Sequence, residues 1–202
     1  VAARIWRLTP GQYNNELERM FGDQVPRVTL PASAAFEAFI TNIAANATVN
    51  EADSSDYNTA ALAVADWVAA QQGSALRCSD WGTESCIDTF LGWFLDEAFR
   101  ETVEPSVRQD FKDLFTELDQ AYGYEYAVSG IGRAVLLSPP MMYRTELGKG
   151  TIPEGSTFVI DDHEIAELMS FSLLDRAPDA EILEDARAGR LSDPDVREKH
   201  VR

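Results

Sequence analysis

Apolar residues recur at spacings of three and four along most of this chain, and that rhythm predicts a helical protein. Thr9-Pro10-Gly11-Gln12 offers an N-cap, a first-turn proline and a capping-box glutamine; Tyr13, Leu17, Met20 and Phe21 then share one face. Gly22 ends this helix, and Pro26 and Pro31 mark a loop. Ser33 starts a second helix with Phe36, Phe39, Ile40 and Ile43 inward, followed by a polar loop over residues 46–55. A third helix is expected from near Asp56 to Gln72, with Leu62, Ala65 and Val68 or Ala69 on its core face and Gly73 closing it.

Ile87, Phe90, Leu91, Phe94, Leu95 and Phe99 define a strongly apolar helix. Pro105 opens the next, with Val107, Phe111, Leu114, Phe115 and Leu118 at helical spacing. Tyr122-Gly123-Tyr124 breaks it, and Tyr126 to Leu137 reads as a buried helix in which Gly130 and Gly132 allow close packing. Ser138-Pro139-Pro140 interrupts the chain again. Asp161 or Asp162 caps a helix with Ile165, Leu168, Met169 and Phe171 or Ser172 facing in. Pro178 opens a short helix carrying Ile182 and Leu183, and Gly189 ends it.

Asp193-Pro194 then starts a last helix, with acidic residues early and basic ones late, as the helix dipole favours. The chain stops where a buried continuation is expected, so it reads as the front part of a larger protein. The expected fold is mainly α: a multi-helix orthogonal bundle with at most a short extended segment near residues 157–160. The Gly-rich polar stretch from Gly148 to Ser156 suggests a boundary. It separates a helical domain over 1–148 from the start of a second helical region over 149–202.

Charge narrows the partners. The net charge is −17, spread over both halves of the 202 residues. A nucleic-acid backbone needs clustered Lys and Arg, and an anionic membrane repels such a surface. No apolar run is long enough to span a bilayer. Hydrophobic residues make up 45% of the chain, sufficient for a real core.

Cys78 and Cys86 flank the polar turn Ser79-Asp80-Trp81-Gly82-Thr83. The spacing does not suit CxxC redox chemistry or haem attachment, and two distant histidines do not complete a zinc site. A structural disulfide at the entry to the next helix is the favoured reading, with reduced core thiols as the alternative. A disulfide implies a periplasmic or extracellular location. Val1-Ala2-Ala3 fits a mature N-terminus after cleavage, and Asn46-Ala47-Thr48 is a glycosylation sequon.

Catalytic motifs are absent: no GxSxG, HExxH, P-loop or dinucleotide fingerprint occurs. His163 lies beside Asp161, Asp162 and Glu164, which reads as an exposed helix-cap cluster and not as a metal site. Met141 and Met142 are weak candidates for haem or soft-metal ligands, with core filling as the favoured role. His200 is a third weak candidate ligand, and reads first as a solvated helix residue. Arg144 and Glu146 are placed to form an ion pair. Tyr122, Tyr124 and Tyr126 with Trp81 suggest a carbohydrate platform, but nothing in the sequence orders them on one face.

Several segments in order carry a resemblance. They are Arg7-Leu8-Thr9 with Tyr13-Asn14-Asn15; Cys86 through Ala98-Phe99-Arg100; and Leu136-Leu137-Ser138-Pro139 through Tyr143-Arg144 and Glu146. Glu164-Ile165-Ala166, Pro178-Asp179 and Gly189 through Asp193-Pro194 follow. Together they resemble large secreted bacterial proteins of unknown function, of the planctomycete and myxobacterial cytochrome-associated type. The chain departs from that pattern at Glu101-Thr102-Val103-Glu104, where the family is basic, and at Asp175-Arg176, where it carries a Trp turn.

The resemblance implies export and a link to c-type haem. It places the haem on a C-terminal half or a separate subunit, because this chain has no CxxCH. The expected function is an exported helical scaffold module packing against that half. The alternatives are a non-redox interaction protein, such as a polysaccharide binder or assembly subunit, and an enzyme whose site straddles both halves with Arg144 or His200 contributing. No cofactor or metal is expected within the chain. The polar residues of the matched segments, Arg7, Tyr13, Asn14, Asn15, Tyr143, Arg144 and Glu146, are expected to be structural.

Overall fold

The computed structural model describes residues 4–31, 50–148 and 159–201. These residues form ten helices and one pair of short strands, so the chain is mainly α. They pack as two units. The larger contains residues 13–31 and 50–142; the smaller contains 4–12, 143–148 and 159–201.

In the larger unit, helix α1 (Pro10–Phe21, its first turn aside) buries Tyr13, Leu17 and Met20, as their spacing predicts. Helix α2 (Glu51–Ala70) starts earlier than its apolar pattern suggests. Asn50 accepts from the backbone N–H of Asp53, whose carboxylate accepts in return from Asn50, so a reciprocal cap holds a first turn with no buried apolar side chain. Residues 51–55 are therefore helix, not loop. Leu62 is 41% exposed: the core face of α2 is Tyr57, Ala61, Val64, Ala65 and Val68. Gly73 does not close α2 but opens the single turn α3 (Gly73–Leu76). Any Cβ there would lie 2.3 Å from the carbonyl oxygen of Cys78.

Helix α4 (Glu84–Phe99) is the apolar centre of this unit; Ile87, Phe90, Leu91, Phe94 and Leu95 have almost no exposure. Phe90 and Phe94 stack at 4.8 Å, a favourable offset arrangement for aromatic rings. The Thr83 hydroxyl accepts from the Cys86 N–H to cap the helix, and Cys78 and Cys86 are joined, with their Cα atoms 5.3 Å apart. Arg100, buried, follows the last turn and donates to the carbonyls of Ala98, Pro140 and Met141, which solvates its charge inside the protein.

Helix α5 (Pro105–Tyr122) buries Phe115, while Val107 lies half out of the core at 37% exposure because it sits in the solvent-facing first turn. Helix α6 (Tyr124–Leu136) follows after Gly123 alone. It packs closely on α2: an added Cβ at Gly132 would stand 3.0 Å from the Ala65 Cβ. One further turn, α7 (Pro139–Met142), completes the unit.

The smaller unit holds the strands. β1 (Arg4–Arg7) and β2 (Tyr143–Glu146) pair antiparallel, with Arg4 opposite Glu146, Trp6 opposite Arg144 and Arg7 opposite Tyr143. Val159 and Ile160 are neither strand nor helix. Helices α8 (Asp162–Leu173), α9 (Ala180–Arg187) and α10 (Pro194–Val201) complete it. Its core is Ile165, Ala166, Ile182, Ala186 and Leu191. Asp161, Asp179 and Asp193 each accept backbone N–H groups at a helix start. The helix expected from Ser33, the Asn46 sequon and most of the Gly-rich boundary lie outside the described residues.

Candidate functional site

Tyr13, Asn14, Arg144 and Glu146, polar residues of the segments that carry the resemblance, make close local contacts. Asn14 in α1 is buried; its Nδ2 donates to the Val28 carbonyl at 2.9 Å and its Oδ1 accepts from the Val28 N–H at 2.8 Å. One side chain thus imitates a strand partner for a loop residue. The Tyr13 hydroxyl donates to the Leu136 carbonyl at 3.1 Å, and burial raises its pKa above the usual tyrosine range. Asn15 is half-buried on the same helix. In the smaller unit, Arg144 pairs with Glu146 at 3.3 Å and lies over the Trp6 ring at 4.9 Å. Arg7 and Tyr143 face each other across the strand pair.

Glu164 overturns the reading of an exposed cap cluster. It is buried, at 8% exposure. Its carboxylate caps the Asp161 N–H at 3.0 Å and also accepts from the N–H groups of Leu147 at 2.6 Å and Gly148 at 2.9 Å. The Thr145 hydroxyl donates to it at 3.2 Å. Four donors from two distant segments converge on one carboxylate, which locks the end of β2 to the start of α8. Beside it, Asp162 Oδ1 and His163 Nδ1 are shielded from solvent and make no hydrogen bond among the described residues.

The three weak ligand candidates are divided between the two units. Met141 and Met142 are buried in the larger unit. His200 belongs to the smaller one and is not solvated: its side chain is 7% exposed and its Nε2 lies 2.6 Å from Asp185. Among the described residues, the grouping with metal-type donors is Cys78, Asp80 and Cys86, and there the two sulfurs are bonded to each other.

The tyrosines fall into an order that the sequence does not reveal. Gly123 has φ +92°, a conformation that side chains disfavour, and it turns α5 directly into α6. Tyr124 turns to one side, packing edge-on against Trp81 at 4.9 Å and Phe115 at 5.1 Å and donating to the Thr83 carbonyl. Its hydroxyl pKa is pushed up to about 12, first by burial and then by the Asp80 and Asp119 carboxylates. Tyr122 and Tyr126 turn to the other side, with their rings 4.7 Å apart. They form the wall of an open groove of about 540 Å³ between α2 and α6, lined also by Leu62, Asp66, Glu125 and Arg133. Ser129 in its floor donates to Asp66 at 2.6 Å, and Arg133 donates to Asn58 at 2.8 Å.

Residues 160–202 match the family described as "Protein of unknown function (DUF1592)". The matched span covers α8, α9 and α10 with their apolar cluster. No curated protein matches the chain. No solved structure matches it. Among the described residues no helix is long and apolar enough to cross a membrane. The Cys78–Cys86 disulfide is compatible with an oxidising compartment.

Proposed function

We propose that this chain is an exported helical scaffold module of a larger redox-linked protein, packing against a half or subunit that carries c-type haem. The observation that carries the reading is the set of exposed apolar side chains in the smaller unit. Ile5, Leu147, Val159, Leu173, Leu174 and Val201 are six of the ten large hydrophobic side chains exposed among the described residues, and all six belong to it. Leu173, Leu174 and Val201 fall inside the span that matches the family of unknown function. Leu173 and Leu174 are neighbours in the chain at the end of α8, and exposed apolar side chains next to one another favour burial against further protein. Glu164, the Asp185–His200 pair and the Arg144–Glu146 pair of that unit, by contrast, are engaged with neighbouring groups, as suits a support.

The test is native purification with whatever co-purifies, followed by visible spectra of oxidised and reduced samples and by cross-linking. The expected result is a haem spectrum in a complex that Leu173→Ser/Leu174→Ser disperses. A colourless, monomeric protein overturns the reading.

A further inference from the structure

We propose that the groove between α2 and α6 binds a neutral saccharide. The inference goes beyond the scaffold reading and does not depend on it, since the groove belongs wholly to the larger unit.

The aromatic wall comes first. Tyr122 and Tyr126 are 67% and 53% exposed, whereas the other described aromatic side chains are buried or half-buried. Two adjacent rings left in water line a concavity instead of joining the core. Such rings, apolar on the face and polar at the hydroxyl, suit a ligand that is itself apolar on one face and polar at the rim. A pyranose has that character: its C–H face stacks on a ring and its hydroxyls point outward.

The polar groups select within that class. Asp66 and Glu125 can only accept hydrogen bonds, Arg133 can only donate, and the Ser129 and tyrosine hydroxyls do both. A saccharide hydroxyl also donates and accepts, so it can pair with each of them. An anion would meet two carboxylates on a chain of net charge −17. An organic cation would gain from the tyrosine faces and carboxylates but would be opposed by the Arg133 guanidinium. A wholly apolar ligand would leave the charged heads without water.

The site is also preorganised, which lowers the ordering cost of binding. Ser129 fixes the Asp66 carboxylate and Asn58 fixes Arg133. The volume of about 540 Å³ lies within the range of roughly 300–1,000 Å³ usual for small-molecule sites.

The experiment is a titration of the ¹⁵N-labelled full chain with cellohexaose, xylohexaose, chitohexaose and laminarihexaose, with oligogalacturonate and choline as charged controls. At least one neutral oligosaccharide is expected to shift the Ser129, Gly130 and Arg133 amides saturably. Tyr122→Ala/Tyr126→Ala should weaken that binding by about tenfold or more, with an unchanged melting curve, because both side chains are exposed. Asp66→Asn keeps the acceptor for Ser129 and should weaken it severalfold, independently of the tyrosines. Three results each overturn the proposal: no neutral oligosaccharide moves these amides, a charged control alone moves them, or both variants bind like the parent.

Discussion

Asp185 and His200 hold the last helix onto the one before it. One carboxylate oxygen of Asp185 lies 2.6 Å from His200 Nε2, and the other accepts from Arg190 Nε at 2.7 Å. Both side chains of the Asp185–His200 pair are close to buried, at 11% and 7% exposure. His200, then Arg190, hold the Asp185 carboxyl below the usual carboxylate range. The Lys199–Glu181 pair, at 2.7 Å, ties the same two helices beside it.

A depressed carboxyl pKa has a definite sign for stability. The folded value lies below the unfolded one, about 3.9, so the contribution of Asp185 is present above that pH and is lost as the pH falls through the folded value. Amide exchange of α10 measured across the acid range should therefore show loss of protection in the parent. Asp185→Asn should begin with weaker protection and lack this acid-linked step. Identical acid profiles for the two proteins would show that Asp185 is not the responsible group.

Glu164 should be among the most sensitive positions in the smaller unit. Glu164→Gln preserves shape but turns one acceptor oxygen into a donor facing backbone N–H groups. Leaving one or two buried donors unpaired costs about 2–3 kcal/mol. Urea denaturation gives the stability change, and the Leu147 and Gly148 amides should lose exchange protection first. A change within about 0.5 kcal/mol, the scale of an ordinary surface substitution, would mean the carboxylate is not the lock.

What the sequence made legible follows the range of the forces involved. The mainly α fold and the cores of α1 and α4 rest on local periodicity, so Tyr13, Leu17, Phe90 and Phe94 could be placed from spacing alone. The start of α2 could not, because Asn50 and Asp53 cap a turn that has no apolar signature. The strand pair joins Arg4–Arg7 to Tyr143–Glu146, two four-residue segments far apart in sequence with no alternating pattern to mark them. Glu164 looked like a surface cap because three of its four partners lie on another segment, Thr145 to Gly148, and two of those are backbone N–H groups. The groove was hidden for a similar reason: the sorting of Tyr122 and Tyr126 from Tyr124 depends on the dihedral of Gly123.

The two glycines of α6 should respond differently to alanine. At Gly132 the new Cβ would meet the Cβ of Ala65 at 3.0 Å and its Cα at 3.4 Å, atoms that move only with the α2 backbone. Overpacking of that kind costs about 1–3 kcal/mol, against a helix-propensity gain of roughly 1 kcal/mol. At Gly130 the new Cβ would meet the tip of Leu118 at 2.6 Å, but that side chain is half-buried and can turn away. Gly132→Ala should therefore lower stability by up to about 2 kcal/mol, while Gly130→Ala stays within about 0.5 kcal/mol. Paired thermal or urea melts decide it, and equal losses would mean that both contacts are rigid.

Reduction of Cys78–Cys86 should weaken the larger unit without dismantling it. The closed loop is short, so the chain-entropy account assigns the crosslink about 2.5 kcal/mol. The fold around it has independent support: Thr83 caps α4 by its own hydroxyl, and Leu76, Ile87 and Phe90 are buried on either side of the loop. Under a strong reductant the urea midpoint should therefore fall while the helical circular dichroism in water stays unchanged. The Trp81–Tyr124 contact joins the crosslinked loop to α6, so the Trp81 indole resonance should shift on reduction. Complete unfolding on reduction would contradict this account. It would mean that the crosslink holds the α4 entry in a register that capping and apolar burial alone do not specify.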